Sequence, residues 1–442
     1  MKELSMQVTR ADESGIRFAE PRKTVQATIK NATVLEAPIG TSIESFLIEA
    51  SKTDPEITPD LLMGGILDGR LRELAYPITR DSTLEPVTLT DSDGGRIYRR
   101  SLVMLMATAA DELWPGIQVR VSYAIPDGGF YCKVMNRESL NQKELDDLES
   151  RMQSIVQSDD VISKRMASRD EAEALFAARH EDDKVRLLEQ RTRNDLTLYS
   201  LRGREDYFYG YMVPSTRYLA TFKLILGTGG FILQYPRKEQ PKELTPIMAF
   251  GKLVRVFEQA DDWLSRMGVE DIGRLNQIVR EDRAQELILV ADALHEQFIA
   301  HIAHDIWEQH EKQGVQLVLI AGPSSSGKTT FSKRLAIQLL AHGLQPFTVE
   351  MDMYFIDREL TPRDRNGDYD FEALHAINLP LFNRHLLQLM AGEETQLAHF
   401  DFVKGKSGNG IIAKLKPNQI IIVEGIHGLN PGLVPDIPSD KI

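Results

Sequence analysis

The chain has 442 residues, 52 of them basic and 65 acidic, for a formal charge of −13; 42 % of residues are hydrophobic and 26 % charged. At about 100–200 residues per domain this is the balance of a soluble protein of two to four domains. It argues against a general nucleic-acid coat or an anionic-membrane binder, both of which need a positive field. Cys132 is the only cysteine, so neither an intramolecular disulfide nor a multi-cysteine zinc site can form. No apolar run approaches the about 18 residues of a membrane span. The first twenty residues lack the apolar segment of a signal peptide, and a reducing, cytoplasmic setting is expected.

Residues 1–22 are polar and read as a loose arm. From 23 to 91 short strands alternate with turn signals. Val25, Ala27 and Ile29 alternate, Pro38-Ile39-Gly40 makes a turn, and Ser42 opens a short helix from Phe46 to Ala50. Ile66-Leu67 follows a Gly64-Gly65 pair, and Val87-Thr88-Leu89 reads as a further strand.

A second α+β unit is expected over 95–235. Leu102, Leu105, Ala109 and Leu113 have helical spacing, as do Leu145, Leu148, Met152 and Ile155. Val119, Val121 and Tyr123 alternate ahead of a Pro126-Asp127-Gly128-Gly129 turn. Strands follow near Leu196–Leu201 and Leu224–Leu233. Residues 236–312 read as a proline-punctuated linker and a helical connector, with Phe250, Leu253, Val254, Phe257 and Leu264 on one face. A second long helix carries Leu287, Val290, Leu294, Phe298 and Ile302.

The last unit, 313–442, alternates strands with helices, the pattern of a parallel sheet covered on both faces. Its apolar strand Leu317–Ala321 leads into Gly322-Pro323-Ser324-Ser325-Ser326-Gly327-Lys328-Thr329, followed by Thr330 and a helix from Lys328 to Ala341. This is the complete GxxxxGK[ST] phosphate-loop pattern in the strand-to-helix setting it requires. The glycines permit backbone angles that turn successive amides inward, and those amides with the helix N-terminus hold phosphate oxygens. Lys328 would reach the β- and γ-phosphates of ATP, and the Thr329 hydroxyl would hold Mg²⁺. Asp352 stands just past a strand neighbouring the phosphate-loop strand, where an acid could take the proton of an attacking hydroxyl. Ile420–Val423 is a buried strand that ends in Glu424, the form of a Walker B acid assisting Mg²⁺.

Five segments in order resemble the uridine kinase/phosphoribulokinase family: Gly322 to Thr329, Asp352-Met353-Tyr354-Phe355, Tyr369-Asp370-Phe371, Phe400-Asp401-Phe402-Val403 and Glu424-Gly425-Ile426. The resemblance implies ATP- and Mg²⁺-dependent phosphorylation of a nucleoside 5′-hydroxyl, with uridine or cytidine as acceptor. It makes Asp352 the catalytic aspartate, Asp370 the holder of the ribose hydroxyls, and Phe355, Phe400 and Phe402 the lining of the nucleoside pocket. Pyrimidine-specific members carry a histidine two residues beyond the position of Val403, where this chain has Gly405. The family's remaining strands and its arginine-bearing lid are expected after Glu424, so an end at Ile442 reads as truncation before the lid.

Residues 23–91 resemble the TGS module, a small β-grasp-like domain, and 95–235 resemble the second additional domain of threonyl-tRNA synthetases. Leu113-Trp114-Pro115, Asp127-Gly128-Gly129-Phe130-Tyr131 and Val213-Pro214 carry the second match. The editing metal ligands of that domain are replaced by Arg100, Met104, Phe208 and Met212, which implies a domain that does not edit. The whole order resembles bacterial multidomain uridine-kinase-like nucleoside kinases. An RNA- or nucleotide-sensing regulator that uses the phosphate loop as a switch is the alternative. RNA contact by the N-terminal units and self-association stay open.

Weaker signals remain. His301, His304 and Asp305 share a helical face, read as solvated rather than metal-binding. Tyr207, Phe208, Tyr209 and Tyr211 read as a strand and turn in a core, with base stacking the alternative. Arg96, Arg99 and Arg100 read as a solvated helix start, and Cys132 as a small buried hydrophobe.

Overall fold

Period-two burial opens the first unit. Strand β1 (Thr24–Ile29) buries Val25, Ala27 and Ile29 and pairs antiparallel with β2 (Thr33–Pro38). The computed structural model describes residues 22–29, 33–135, 137–248, 251–364 and 367–442. The expected arm before residue 22 lies outside the described residues, as do Phe250 and the Leu253 side chain of the expected helical face. By internal contacts the chain divides into a unit ending at Glu281 and a unit starting at Asp282. The residues read as a connector are therefore shared between the two.

Helix α1 (Ile43–Ser51) starts where the Ser42 hydroxyl accepts from the Ser45 amide. Strands β3 (Leu62–Leu67), β4 (Arg70–Arg72) and β5 (Ser82–Thr88) complete a five-stranded sheet of order β2-β1-β5-β3-β4, with β1 and β5 parallel. Gly64 and Gly65, expected to precede a strand, lie inside β3. A Cβ on Gly65 would stand 2.8 Å from Ile43 and 2.9 Å from Leu84, so the pair lets helix and neighbouring strand close onto β3.

Helix α2 (Ser92–Leu113) leads to β6 (Val119–Ile125) and β7 (Gly129–Val134), then α3 (Gln142–Gln157) under an Asn141/Glu144 capping box. Strand β8 (Ser163–Ser168), α4 (Arg169–Ala178), α5 (Asp182–Glu189), β9 (Asp195–Leu201) and β10 (Arg204–Tyr207) form a three-stranded sheet with its own small core around Phe176. Of this group β9 had a clear sequence signal, and the aromatic run from Tyr207, read as a strand and turn, meets β10 only at its last residue. The segment expected as one strand near 224–233 is a hairpin, β11 (Lys223–Gly227) and β12 (Gly230–Gln234), turned at Thr228-Gly229. It joins β7 and β6 in the order β11-β12-β7-β6. Helices α6 (Gly251–Arg266) and α7 (Ile272–Arg280) close the unit; Phe257 stacks on Tyr123, and Arg186 pairs with the α7 cap Asp271.

The second unit begins with α8 (Ala284–Gln313), ended by Gly314 at φ +71°. Strand β13 (Leu317–Ala321), α9 (Lys328–Ala341) and β14 (Gln345–Glu350) follow, then α10 (Leu379–Met390), the hairpin β15 (Thr395–Asp401) and β16 (Lys406–Ala413), and β17 (Gln419–Gly425). Among the described residues the parallel sheet has the order β13-β17-β14. Strand β17 sits between the other two and is buried on both faces. Ile420 and Ile422 pack with Ile299, Leu335 and Leu339 of α8 and α9; Ile421 and Val423 pack with Phe382, Leu386 and Leu389 of α10. That explains its unbroken apolar run.

Phe382 is fully buried, edge-on to Tyr354 at 4.9 Å. Phe382→Ala is expected to destabilise the second unit by about 3–5 kcal/mol. Urea unfolding of the whole chain should show this, whereas Leu360→Ala, at a 71 % exposed position, should change stability by less than about 0.5 kcal/mol.

Candidate phosphotransfer site

Three parallel strands deliver the site to one end of the sheet. Ile320 of β13, Glu424 of β17 and Glu350 of β14 lie level in the ladder, so the segments that follow these strands emerge side by side. The loop after β13 is Gly322 to Gly327. Ser325 and Gly327 hold φ of +61° and +88°, and a Cβ on Gly322 would stand 2.6 Å from the Ser326 hydroxyl. The backbone is thus coiled as a cradle with no room for a side chain at its entry. Helix α9 starts at Lys328 with no side-chain cap, which leaves its first amides free to receive an anion. Pro323 to Gly327 are exposed and reachable from solvent. The Lys328 ammonium donates to the Pro323 carbonyl at 2.8 Å, arched over the loop it is expected to serve.

Thr329 and Glu424, paired by sequence as metal holders, meet directly. The Thr329 hydroxyl donates to Glu424 Oε1 at 2.7 Å. Sequence reasoning missed a third partner, Ser332, whose hydroxyl donates to Oε2 of the same carboxylate at 3.0 Å. Its signal was available, since Ser332 lies three residues after Thr329 on the same face of α9. Among the described residues no three His, Cys, Asp or Glu converge on a metal. One carboxylate and one hydroxyl suit Mg²⁺, a hard ion that keeps waters and takes substrate phosphate oxygens for the rest of its shell. Thr329 and Glu424 would hold it here.

Asp352 lies in a tight turn, Met351–Tyr354, immediately after β14. Met351 and Tyr354 on either side of it are buried. Met351 packs against Gly425, where a Cβ would stand 2.0 Å from its terminal methyl, and the Tyr354 hydroxyl meets His385 Nδ1 at 3.2 Å. Two buried anchors therefore hold one accessible acid. Partial desolvation, reinforced by the Glu424 charge, pushes the Asp352 carboxyl above the usual aspartate value, while Lys328 pulls it down.

The expected pocket residues Phe355, Phe400 and Phe402 come together, with ring centroids 5.2–6.5 Å apart and edge-to-face contacts. Among the described residues no hydrogen bond or ion pair joins Asp370 to them. Its carboxylate accepts from the Glu372 amide at 3.0 Å, and its own amide donates to the Pro362 carbonyl. Gly405 holds φ +67°, and a Cβ there would stand 2.9 Å from the Arg358 side chain. The Arg358 guanidinium donates to the Phe402 carbonyl at 2.7 Å, so an arginine fills the space beside Gly405.

In the first unit, the four positions expected from the synthetase resemblance to stand at the editing ligands are packed. Met104 and Met212 are buried, Phe208 packs on the same core, and Arg100 donates to the Tyr211 carbonyl. Arg100 is thus half-buried rather than part of a solvated helix start, because the 210–213 backbone folds over it. The aromatic run is not a core strand throughout: β10 ends at Tyr207, and Tyr209 is 88 % exposed. Cys132 is fully buried, as expected. His301 meets the Gln297 carbonyl of its own helix, and His304 lies against Trp307 and His342.

Comparison with known proteins agrees with this division. Residues 317–436 match the sequence profile of the Phosphoribulokinase / Uridine kinase family. The second unit carries a domain of that kinase family. The N-terminal part matches threonine–tRNA ligases. That of Burkholderia lata is 37 % identical over 179 residues, 40 % of this chain and 28 % of the ligase. That of Burkholderia orbicola is 36 % identical over the same shares. The chain thus spans little more than a quarter of the length of these curated relatives. Among solved structures, a possible uridine kinase from Bacillus stearothermophilus aligns over 27 % of this chain and 66 % of its own, with 23 % identity and a TM-score of 0.24. No helix among the described residues is long and apolar enough to cross a membrane.

Glu424→Gln keeps the shape and removes the charge. It is expected to raise the Mg²⁺ concentration needed for ATP binding by about tenfold or more, read by calorimetric titration at fixed ATP.

Proposed function

We propose that this protein is an ATP-dependent nucleoside kinase that phosphorylates a 5′-hydroxyl, with uridine or cytidine as the acceptor. The single observation that carries the reading is the convergence of Lys328, Thr329, Glu424 and Asp352 at one end of the sheet. ATP would lie with its phosphates in the cradle from Gly322 to Thr330, its charge met by loop amides and Lys328. Bound Mg²⁺ would supply charge neutralisation on the β- and γ-phosphate oxygens. Asp352 would accept the proton as the acceptor oxygen attacks the γ-phosphorus. The three phenylalanines, packed edge to face, offer an apolar lining for the base, and Asp370 would reach the ribose hydroxyls from its loop. The module over 23–91 is β-grasp- and TGS-like in this reading, and the module over 95–235 is a synthetase-like domain that does not edit, because methionine, arginine and phenylalanine occupy its ligand positions. The protein would work in the cytoplasm.

A second reading is favoured by the match to threonine–tRNA ligases. In it the first unit binds RNA and the phosphate loop is a switch. ADP release from ATP·Mg²⁺ across a panel of nucleosides separates the two. Release stimulated by a nucleoside supports the kinase; nucleoside-independent hydrolysis stimulated by RNA supports the switch.

Two outcomes are expected if the kinase reading holds. Asp352→Asn should lower kcat by about 10²–10⁴ with little change in KM for ATP. Because the Asp352 carboxyl is raised and acts ionised, activity should grow as pH rises through its elevated value. The acid limb of the kcat profile should then lie above the ordinary aspartate range. In Lys328→Ala, which removes the nearby cation, any residual activity should show that limb displaced further upward.

A further inference from the structure

The hairpin of β3 and β4 and the loop that leads to β5 enclose a second cleft, of about 520 Å³, far along the chain from the phosphate loop. Arg70, Arg72 and Arg80 line it together with Tyr76, Thr79 and Ser82. Arg70 and Arg72 alternate along β4 and so point to one face of the sheet. The one carboxylate in the lining, Asp68, is already engaged: it takes the Thr83 amide at 2.9 Å and the Arg80 guanidinium at 3.0 Å. Among the described residues, neither Arg70 nor Arg72 has a carboxylate partner within ion-pair distance.

Arg72 is also held in place. Its guanidinium donates to the Tyr211 hydroxyl at 3.2 Å and to the Leu71 carbonyl at 3.3 Å, and it lies over the Tyr76 ring at 5.1 Å. A cation fixed from behind in this way loses little freedom when an anion arrives in front. Residues 22–91 hold seven basic and eleven acidic side chains. Three of those seven cations surround one cleft with a single carboxylate, Asp68, which Arg80 already engages; Arg70 and Arg72, left without one, repel each other unless an anion joins them.

We propose that this cleft binds a compact polyphosphate-bearing small molecule, its phosphates held by Arg70, Arg72 and Arg80 and any ring it carries set against Tyr76. Guanidinium forks match phosphate oxygens in pairs. The charge distribution favours a compact ligand over an extended nucleic acid, because a long polyanion leaving the cleft meets a protein of net charge −13. The inference stands apart from the kinase reading, since the cleft belongs to the first unit and uses none of the phosphotransfer residues.

The test is calorimetric titration of the full chain with inorganic tripolyphosphate, without Mg²⁺, at low salt. The parent is Lys328→Ala, to weaken the phosphate loop. Adding Arg70→Gln and Arg72→Gln should lower the stoichiometry by one equivalent or weaken that site at least tenfold. Lys52→Gln, a paired surface residue of the same unit, should change nothing. Circular dichroism and melting of the double variant, matched to the parent, exclude unfolding as the cause. ATP and GTP titrated in place of tripolyphosphate distinguish a nucleotide from a bare polyphosphate. Tighter nucleotide binding that Tyr76→Ala brings back to the tripolyphosphate level assigns the ring contact. Unchanged binding in the double arginine variant overturns the proposal. So does a single-stranded RNA oligonucleotide that binds through these arginines while tripolyphosphate does not.

Discussion

Everything at the candidate site hangs on strand β17. Its backbone pairs with β13 on one side and β14 on the other, and its side chains alternate into two apolar layers. A one-residue slip would drive Ile420 and Ile422 into the layer of Ile421 and Val423 and break both cores. Register is therefore fixed by burial, and burial in turn sets where Glu424 emerges relative to the phosphate loop and to Asp352. The geometry of the candidate site is a by-product of packing. None of the polar residues has to be positioned by polar contacts alone.

The same logic appears at smaller scale around Asp352. The acid is presented by a turn whose neighbours are buried, so a flexible carboxylate inherits the rigidity of the core. Glu424 is treated the opposite way, tied by hydroxyl groups of Thr329 and Ser332 on one helix. One acid is kept open to solvent and pushed toward protonation; the other is saturated with donors. That difference in environment matches a proton acceptor and an ion holder.

Much of this was legible in the residues. The phosphate loop, its helix, and the strands before and after it follow from glycine spacing and apolar runs, and the helix from Lys328 to Ala341 has the limits its sequence shows. Strand β8 was not legible, because SKRMAS buries only Ala167 and carries no apolar alternation; tertiary pairing with β9 makes it a strand. The glycine pair at 64–65 misled because glycine marks turns more often than close packing, and only the neighbouring Ile43 and Leu84 side chains tell the two apart. Ser332 was missed although its spacing put it on the face of Thr329, because that spacing alone does not say that Glu424 stands opposite both hydroxyls. Arg72 and Tyr211, 139 positions apart, had no signal in either local pattern.

The arrangement around Gly405 limits how this pocket can change. A side chain there faces two obstacles at once, a left-handed backbone angle and the Arg358 side chain already in place. Arg358 in turn is tied to the carbonyl of Phe402, one of the pocket's own aromatic residues. Position 405 and position 358 therefore form a coupled pair in any evolutionary or engineered path. A histidine introduced at 405 alone meets strain and collision. Shortening Arg358 does not by itself clear the site, because its own Cβ would stand 2.9 Å from a Cβ at 405, and that step also frees the Phe402 carbonyl. The turn is thus buffered against single substitutions at 405, a form of epistasis written into its packing.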